Sequence, residues 1–123
     1  MSRFFDRYLW WLPVGSVPEV SARDLQREIM SKDHEVQILD VRTRNEWRQG
    51  AIEGALLMPL NILKSQLHTL PYDRDKPVVA ICRSAHRSIP AVRLLRAAGF
   101  KNVRQLQGGM LAWQAHKYPM IRN

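Results

Sequence analysis

Two rhythms of apolar positions alternate along this chain. Ala22, Leu25 and Ile29 recur at helical spacing behind Ser21, whose hydroxyl can cap a helix with Asp24 at its third position. Val36–Leu39 reads as a short strand that leads into Asp40. Thr43 can cap a brief helix over Arg44–Gln49, closed by Gly50. Residues 55–58 are a second apolar run, ended by Pro59. Leu60, Leu63, Leu67 and Leu70 then fall at helical spacing, which predicts a helix over 60–70 and a polar turn over 71–77. Val78–Ile81 is apolar without interruption, the pattern of a strand buried on both faces of a parallel sheet. A helix over 88–98 turns Ala91, Leu94, Leu95 and Ala98 inward and stops at Gly99. Val103–Leu106 reads as the last strand, and Gly108-Gly109 as a tight turn with positive φ that opens a final helix carrying Leu111 and Trp113. Strands alternating with helices predict an α/β fold with a largely parallel sheet.

Ahead of this regular pattern, residues 1–12 hold five of the ten aromatics, Phe4, Phe5, Tyr8, Trp10 and Trp11. Phe4, Phe5, Tyr8, Leu9 and Leu12 share one helical face and Pro13 ends the run. Residues 1–15 are therefore read as an aromatic-rich arm or helix and 16–123 as the domain. The arm is too short to cross a bilayer, and Asp6 and Arg7 interrupt its apolar stretch, which makes it a poor secretory leader. An arm packed on its own domain is expected; contact with a membrane surface or a second copy of the chain is the alternative.

Composition narrows the class. At 123 residues the chain has enough length for one domain with a real core. A single cysteine, Cys82, excludes an internal disulfide and a cysteine-rich zinc site. His34, His68 and His116 show no metal spacing, and no cofactor is expected. A cytoplasmic location is expected. The net charge of +8 is uneven: residues 1–76 hold 11 basic and 11 acidic residues, whereas 77–123 hold eight basic residues and no acidic one. Cys82 lies in that basic third. No nucleic-acid recognition motif accompanies the charge, so a small anion or an acidic protein partner is expected instead.

The chemistry concentrates at the end of Val78–Ile81. Cys82 stands at the carboxyl end of a buried strand, where open α/β sheets place their ligands. The loop Arg83-Ser84-Ala85-His86-Arg87 runs into a helix beginning at Ser88. Free N–H groups at that helix start and the cations Arg83, His86 and Arg87 favour a thiolate over a thiol. Cysteine phosphatases place an arginine six positions after the nucleophile; here that position is Ser88, and Arg87 comes one residue early. The loop is short for a phosphate and suits a sulfur atom carried on the cysteine.

With Ile38-Leu39-Asp40-Val41-Arg42, Glu46-Trp47, Gly50-x-Ile52-x-Gly54-Ala55, Met58-Pro59-Leu60, the Cys82–Ser88 segment, Gly99-Phe100-x-Asn102-Val103 and Leu106-x-Gly108-Gly109 with Trp113, the sequence resembles a single-domain rhodanese over roughly residues 17–116. The resemblance implies a three-layer α/β fold with a central, mostly parallel sheet flanked by helices. It further implies that Cys82 forms a persulfide, that residues 83–87 supply backbone N–H groups to it, and that Arg83 and Arg87 hold an anionic sulfur donor. The binding set is then Arg83, Ser84, Ala85, His86, Arg87 and Ser88, supported by Asp40, Arg42 and Glu46. An ion-pair brace is expected beneath the loop, with Asp40 or Glu46 facing Arg87; Asp40 as a cap or turn residue is the alternative. His86 could tune Cys82, limit donor size or simply face solvent. Ala51 and Glu53 depart from the His and Pro common in the family.

The implied activity is transfer of sulfane sulfur from thiosulfate or a persulfide, through Cys82, to cyanide or a thiol outside the monomer. The alternative is a sulfur-carrier or protein-docking module with little turnover. A monomer and a homodimer are both compatible with the sequence. The packed-arm reading predicts that deleting residues 1–13 leaves sedimentation behaviour and partition onto lipid vesicles unchanged.

Overall fold

The computed structural model describes residues 16–33 and 35–122. The predicted arm and His34 lie outside the described residues. Strand β1 (Glu19–Val20) is followed by α1 (Ala22–Met30), β2 (Gln37–Asp40), α2 (Arg44–Gln49), β3 (Leu56–Leu57), α3 (Leu60–Gln66), β4 (Val78–Ile81), α4 (Ser88–Ala97), β5 (Val103–Leu106) and α5 (Gly109–Ala115). All four strand pairings are parallel, in the order β1-β5-β4-β2-β3. This is the α/β architecture that the alternating pattern predicts.

Side-chain alternation sorts the core into two halves. Val78, Ala80 and Cys82 face one way, with Leu39 and Val41, and pack on Leu63 of α3 and Ala91, Val92 and Leu95 of α4. Val79 and Ile81 face the other way, with Ile38, and pack on Ala22 and Leu25 of α1 and Met110 and Trp113 of α5. β4 is buried on both faces, as its unbroken apolar run requires. Leu25 is fully buried, which stabilises the fold by roughly 2 kcal/mol. Among the described residues, no helix is long and apolar enough to cross a membrane.

Several boundaries differ from the sequence expectation. The helix expected over 60–70 ends at Gln66 and continues as a 3₁₀ turn, Leu67–Thr69. Leu70 is extended ahead of Pro71, a conformation the proline ring imposes on its neighbour. Leu67 and Leu70 still pack on the core, so their apolar spacing is real. In α5 the inward positions are Met110 and Trp113, whereas Leu111 is largely exposed. β1 has no counterpart among the expected elements; its two residues are too few to show a period, and pairing with β5 alone defines it.

The turn at Gly108-Gly109 is left-handed at both residues, with φ of 72° and 59°. At Gly109 the constraint is also steric: a Cβ there would collide with the carbonyls of Cys82 and Arg83. Those carbonyls accept hydrogen bonds from Met110 N–H (2.8 Å) and Leu111 N–H (3.1 Å), so α5 grips the chain as it leaves β4. Gly54 also has positive φ, 86°, but has open space where a Cβ would go. Gly109→Ala is therefore expected to lower unfolding free energy by more than the about 1 kcal/mol that φ strain alone costs. Gly54→Ala, measured by the same urea titration, should show only the smaller loss.

Candidate active site

Cys82 follows the last residue of β4 and is buried, at 1% exposure. Its Sγ accepts a hydrogen bond from Ala85 N–H at 2.9 Å. That contact needs the loop to fold back on the strand end, and Ala85 does this with φ of 74°, a left-handed conformation that costs a non-glycine residue about 1 kcal/mol. Ser88 Oγ lies 3.4 Å from Sγ on the other side. Position six after the cysteine thus brings a hydroxyl to the sulfur, while Arg87 is taken up by Glu46.

Arg87 is held by Glu46 through two hydrogen bonds, Nη1 to Oε1 at 2.6 Å and Nη2 to Oε2 at 2.7 Å. The two charge-assisted bonds match a guanidinium fork to a carboxylate. Glu46 also closes the cap of α2: its Oε1 accepts from Thr43 N–H, and its own N–H donates to Thr43 Oγ1. The Arg87 hydrogen bond, with help from Thr43, holds the Glu46 carboxyl down at about 2 against desolvation, and Glu46 in turn raises Arg87 further.

Of the two carboxylates expected opposite Arg87, Glu46 fills the role and Asp40 does not. Asp40 is buried and paired with Arg42, whose Nη2 lies 2.8 Å from Oδ2. It also accepts from Arg42 N–H at 3.1 Å, a turn-type contact, and Arg42 Nη2 continues to Gly50 O at 2.8 Å. The reason is parity along β2. Leu39 and Val41 share the face of Cys82, so Asp40 and Arg42 fall on the opposite one.

The remaining loop residues are spread between solvent and core. Arg83, Ser84 and His86 are exposed, Ala85 and Arg87 half-buried, and Ser88 fully buried. The basic third is partly neutralised in three dimensions. Arg87, Lys101 and Arg104 pair with Glu46, Asp75 and Glu28. Among the described residues no ion pair engages Arg83, which leaves its charge at the mouth of the loop.

Two depressions flank the loop. One, about 220 Å³, is lined by Arg42, Glu46, Arg83 and Met110. The other is a groove of about 670 Å³ with walls of Val41, Pro59, Leu60 and Pro90, and with Lys64 and Arg87 along it. Among the described residues, no group of three or more His, Cys, Asp or Glu could hold a metal ion. Of the positions that depart from the resemblance, Ala51 is buried and bridges Ile121 while Glu53 is exposed.

Two site residues were not expected from the sequence. Ser88 Oγ donates to Gln105 Oε1 at 2.6 Å, and Gln105 Nε2 donates to Glu19 Oε2 at 2.9 Å. The available signal was a polar residue at an inward position of β5, between Val103 and Leu106.

A parallel sheet that delivers one buried cysteine into a short loop before a helix defines an α/β domain built around a cysteine-centred site. This chain belongs to the rhodanese-like domain family, whose model matches residues 21–116. A sulfurtransferase of Allochromatium vinosum is 34% identical over 105 residues, covering 85% of this chain and 95% of that one. The putative sulfurtransferase YtwF of Bacillus subtilis is 35% identical over 103 residues, covering 84% and 96%. Among solved structures, a rhodanese-related protein from Thermoplasma volcanium superposes with a TM-score of 0.77 at 29% identity, covering 87% of this chain and all of that one.

The lowered Glu46 group sets a pH dependence. Its contribution to stability is complete above its ordinary value of 4.5 and is lost as pH falls through about 2. Glu46→Gln should therefore melt at a lower temperature than the parent near neutrality. The difference should shrink as the pH of the melting series is lowered through that window.

Proposed function

We propose that this domain is a sulfurtransferase with Cys82 as its nucleophile. The observation that carries the reading is the sulfur's position: buried at the end of β4, with the Ala85 N–H on it and Arg83 open beside it. The sulfurtransferase names of its relatives support the same class.

In the first half-reaction the Cys82 thiolate attacks the outer sulfur of an anionic donor such as thiosulfate. A new S–S bond forms, the donor's S–S bond breaks, and sulfite leaves with the bonding electrons. The thiol proton goes to solvent. Cys82 then carries a persulfide whose outer sulfur is anionic and is stabilised by loop N–H groups. Arg83 attracts the donor, while Arg87, fixed by Glu46, contributes a stationary positive charge to the loop. In the second half-reaction cyanide or a thiolate attacks the outer sulfur. With cyanide, thiocyanate departs and the Cys82 thiolate returns. The chain has no second cysteine, so the acceptor comes from outside the monomer. The two half-reactions require no metal or organic cofactor.

Intact-mass measurement tests the cycle. Reduced protein incubated with thiosulfate should gain one sulfur atom and lose it on addition of cyanide as thiocyanate appears. Cys82→Ala should fold and gain nothing. Absence of the gain with both thiosulfate and a polysulfide donor would overturn the proposal. Arg83→Ala should raise KM for thiosulfate about 3- to 10-fold, the size expected from one partly solvated cation, with less effect on kcat.

A further inference from the structure

We propose that Glu19 and Gln105 are positioning residues that make the Ser88 hydroxyl an acceptor, not a donor, toward the Cys82 sulfur. They thereby favour the S–H form of Cys82 between turnovers. The inference rests on the reading of Cys82 as the nucleophile and concerns how that nucleophile is held in check.

The groups form a chain running under the loop: Cys82 Sγ to Ser88 Oγ at 3.4 Å, Ser88 Oγ to Gln105 Oε1 at 2.6 Å, and Gln105 Nε2 to Glu19 Oε2 at 2.9 Å. Sheet register builds it. Glu19 and Gln105 are partners between β1 and β5, and Gln105 is the partner of Ala80, two residues before Cys82. All three positions therefore point to the α4 side, where Ser88 begins the helix. Cys82, Ser88 and Gln105 are buried, at 1%, 0% and 4% exposure, so none can exchange its partner for water.

Donor and acceptor inventory then fixes the direction of every bond. Glu19 Oε2 accepts from Gln105 Nε2, so the amide of Gln105 turns its N–H₂ toward the carboxyl group. That leaves Gln105 Oε1, also only an acceptor, toward Ser88. The single Ser88 proton is committed to Oε1, and only lone pairs remain toward Cys82. A thiol satisfies them by donating its S–H, whereas a thiolate meets lone pairs and must draw the Ser88 proton away from Gln105. An exposed carboxylate at the sheet edge thus biases the proton on a buried sulfur at the other end of the chain.

Besides Glu19, the titratable and charged groups on the elements that meet Cys82 and this chain are Arg83, His86 and Arg87 of the loop, Glu46 paired with Arg87, the Asp40–Arg42 pair at the end of β2, Lys64 of α3, Arg93 and Arg96 of α4, and Arg104 of β5. The start of α5, Gly109-Met110-Leu111, adds no titratable side chain. All of these stay constant across the variants below.

Alkylation of Cys82 by iodoacetamide, followed against pH, tests the inference without any sulfur donor. The thiolate displaces iodide, and the thiol proton passes to buffer. Gln105→Leu frees the Ser88 hydroxyl to donate to sulfur. The alkylation midpoint should then move down by about half a pH unit, equivalent to about threefold faster reaction at a fixed pH below the midpoint. Glu19→Ala, at the exposed edge, lets the Gln105 amide turn over and should shift the midpoint the same way; it decides the matter if Gln105→Leu does not fold. In a Ser88→Ala background neither substitution should have an effect, which a packing role for Gln105 would not produce. Unmoved midpoints in the folded variants, or equal shifts with and without Ser88, would overturn the proposal. Failure of the sulfur-transfer reading itself would appear separately, as no sulfur gain in the intact-mass experiment.

Discussion

A four-residue strand with no solvent-facing side dictates where chemistry can occur in this domain. Val78–Ile81 is buried above and below, so the first position at which the chain can present a functional group is the one that follows it. That position is Cys82. Alternation along β4 sends its side chain toward α3 and α4, and the sulfur is covered before the loop begins. The loop must then reach the sulfur rather than the reverse, which is why the left-handed Ala85 is tolerated and why α5 clamps the carbonyls beneath it.

The supports converge on few atoms. The Glu46 carboxylate ends one helix and holds the cation of another segment, so the cap of α2 and the position of Arg87 form a single unit. Ser88 starts α4 and touches both the sulfur and β5. Such shared groups resist independent adjustment, because moving one contact disturbs the next. The Asp40–Arg42 pair does comparable work on the opposite face of the sheet, tying the end of β2 to Gly50.

Local signals made most of this readable from the chain. The apolar run before Cys82, the Thr43 cap and the paired glycines at 108 and 109 each declare their structure within a few residues, and each sits where expected. What the sequence left open depends on parity and on distant pairing. Asp40 and Glu46 are both acidic and close to each other in the chain, and it is the alternation along β2 that turns Asp40 to Arg42 and leaves Arg87 to Glu46. The Gln105–Glu19 contact joins residues at opposite ends of the domain, which no local pattern encodes. β1 is defined by its partner alone. The basic third was legible as charge, but its neutralisation by Glu28, Glu46 and Asp75 needed the fold.

The strand order carries a consequence for assembly. Among the described residues β1, the first strand, pairs only with β5, the last. Contacts between distant segments form late, because a long loop must close before they are rewarded. During synthesis Glu19 emerges early yet has no place to dock until Val103–Leu106 has been made. Closure of the sheet and seating of Gln105 against Glu19 therefore coincide. The sulfur's surroundings reach their final polarity only when the two ends of the domain meet, so a partly folded chain presents a cysteine with different hydrogen-bonding company from that of the finished protein.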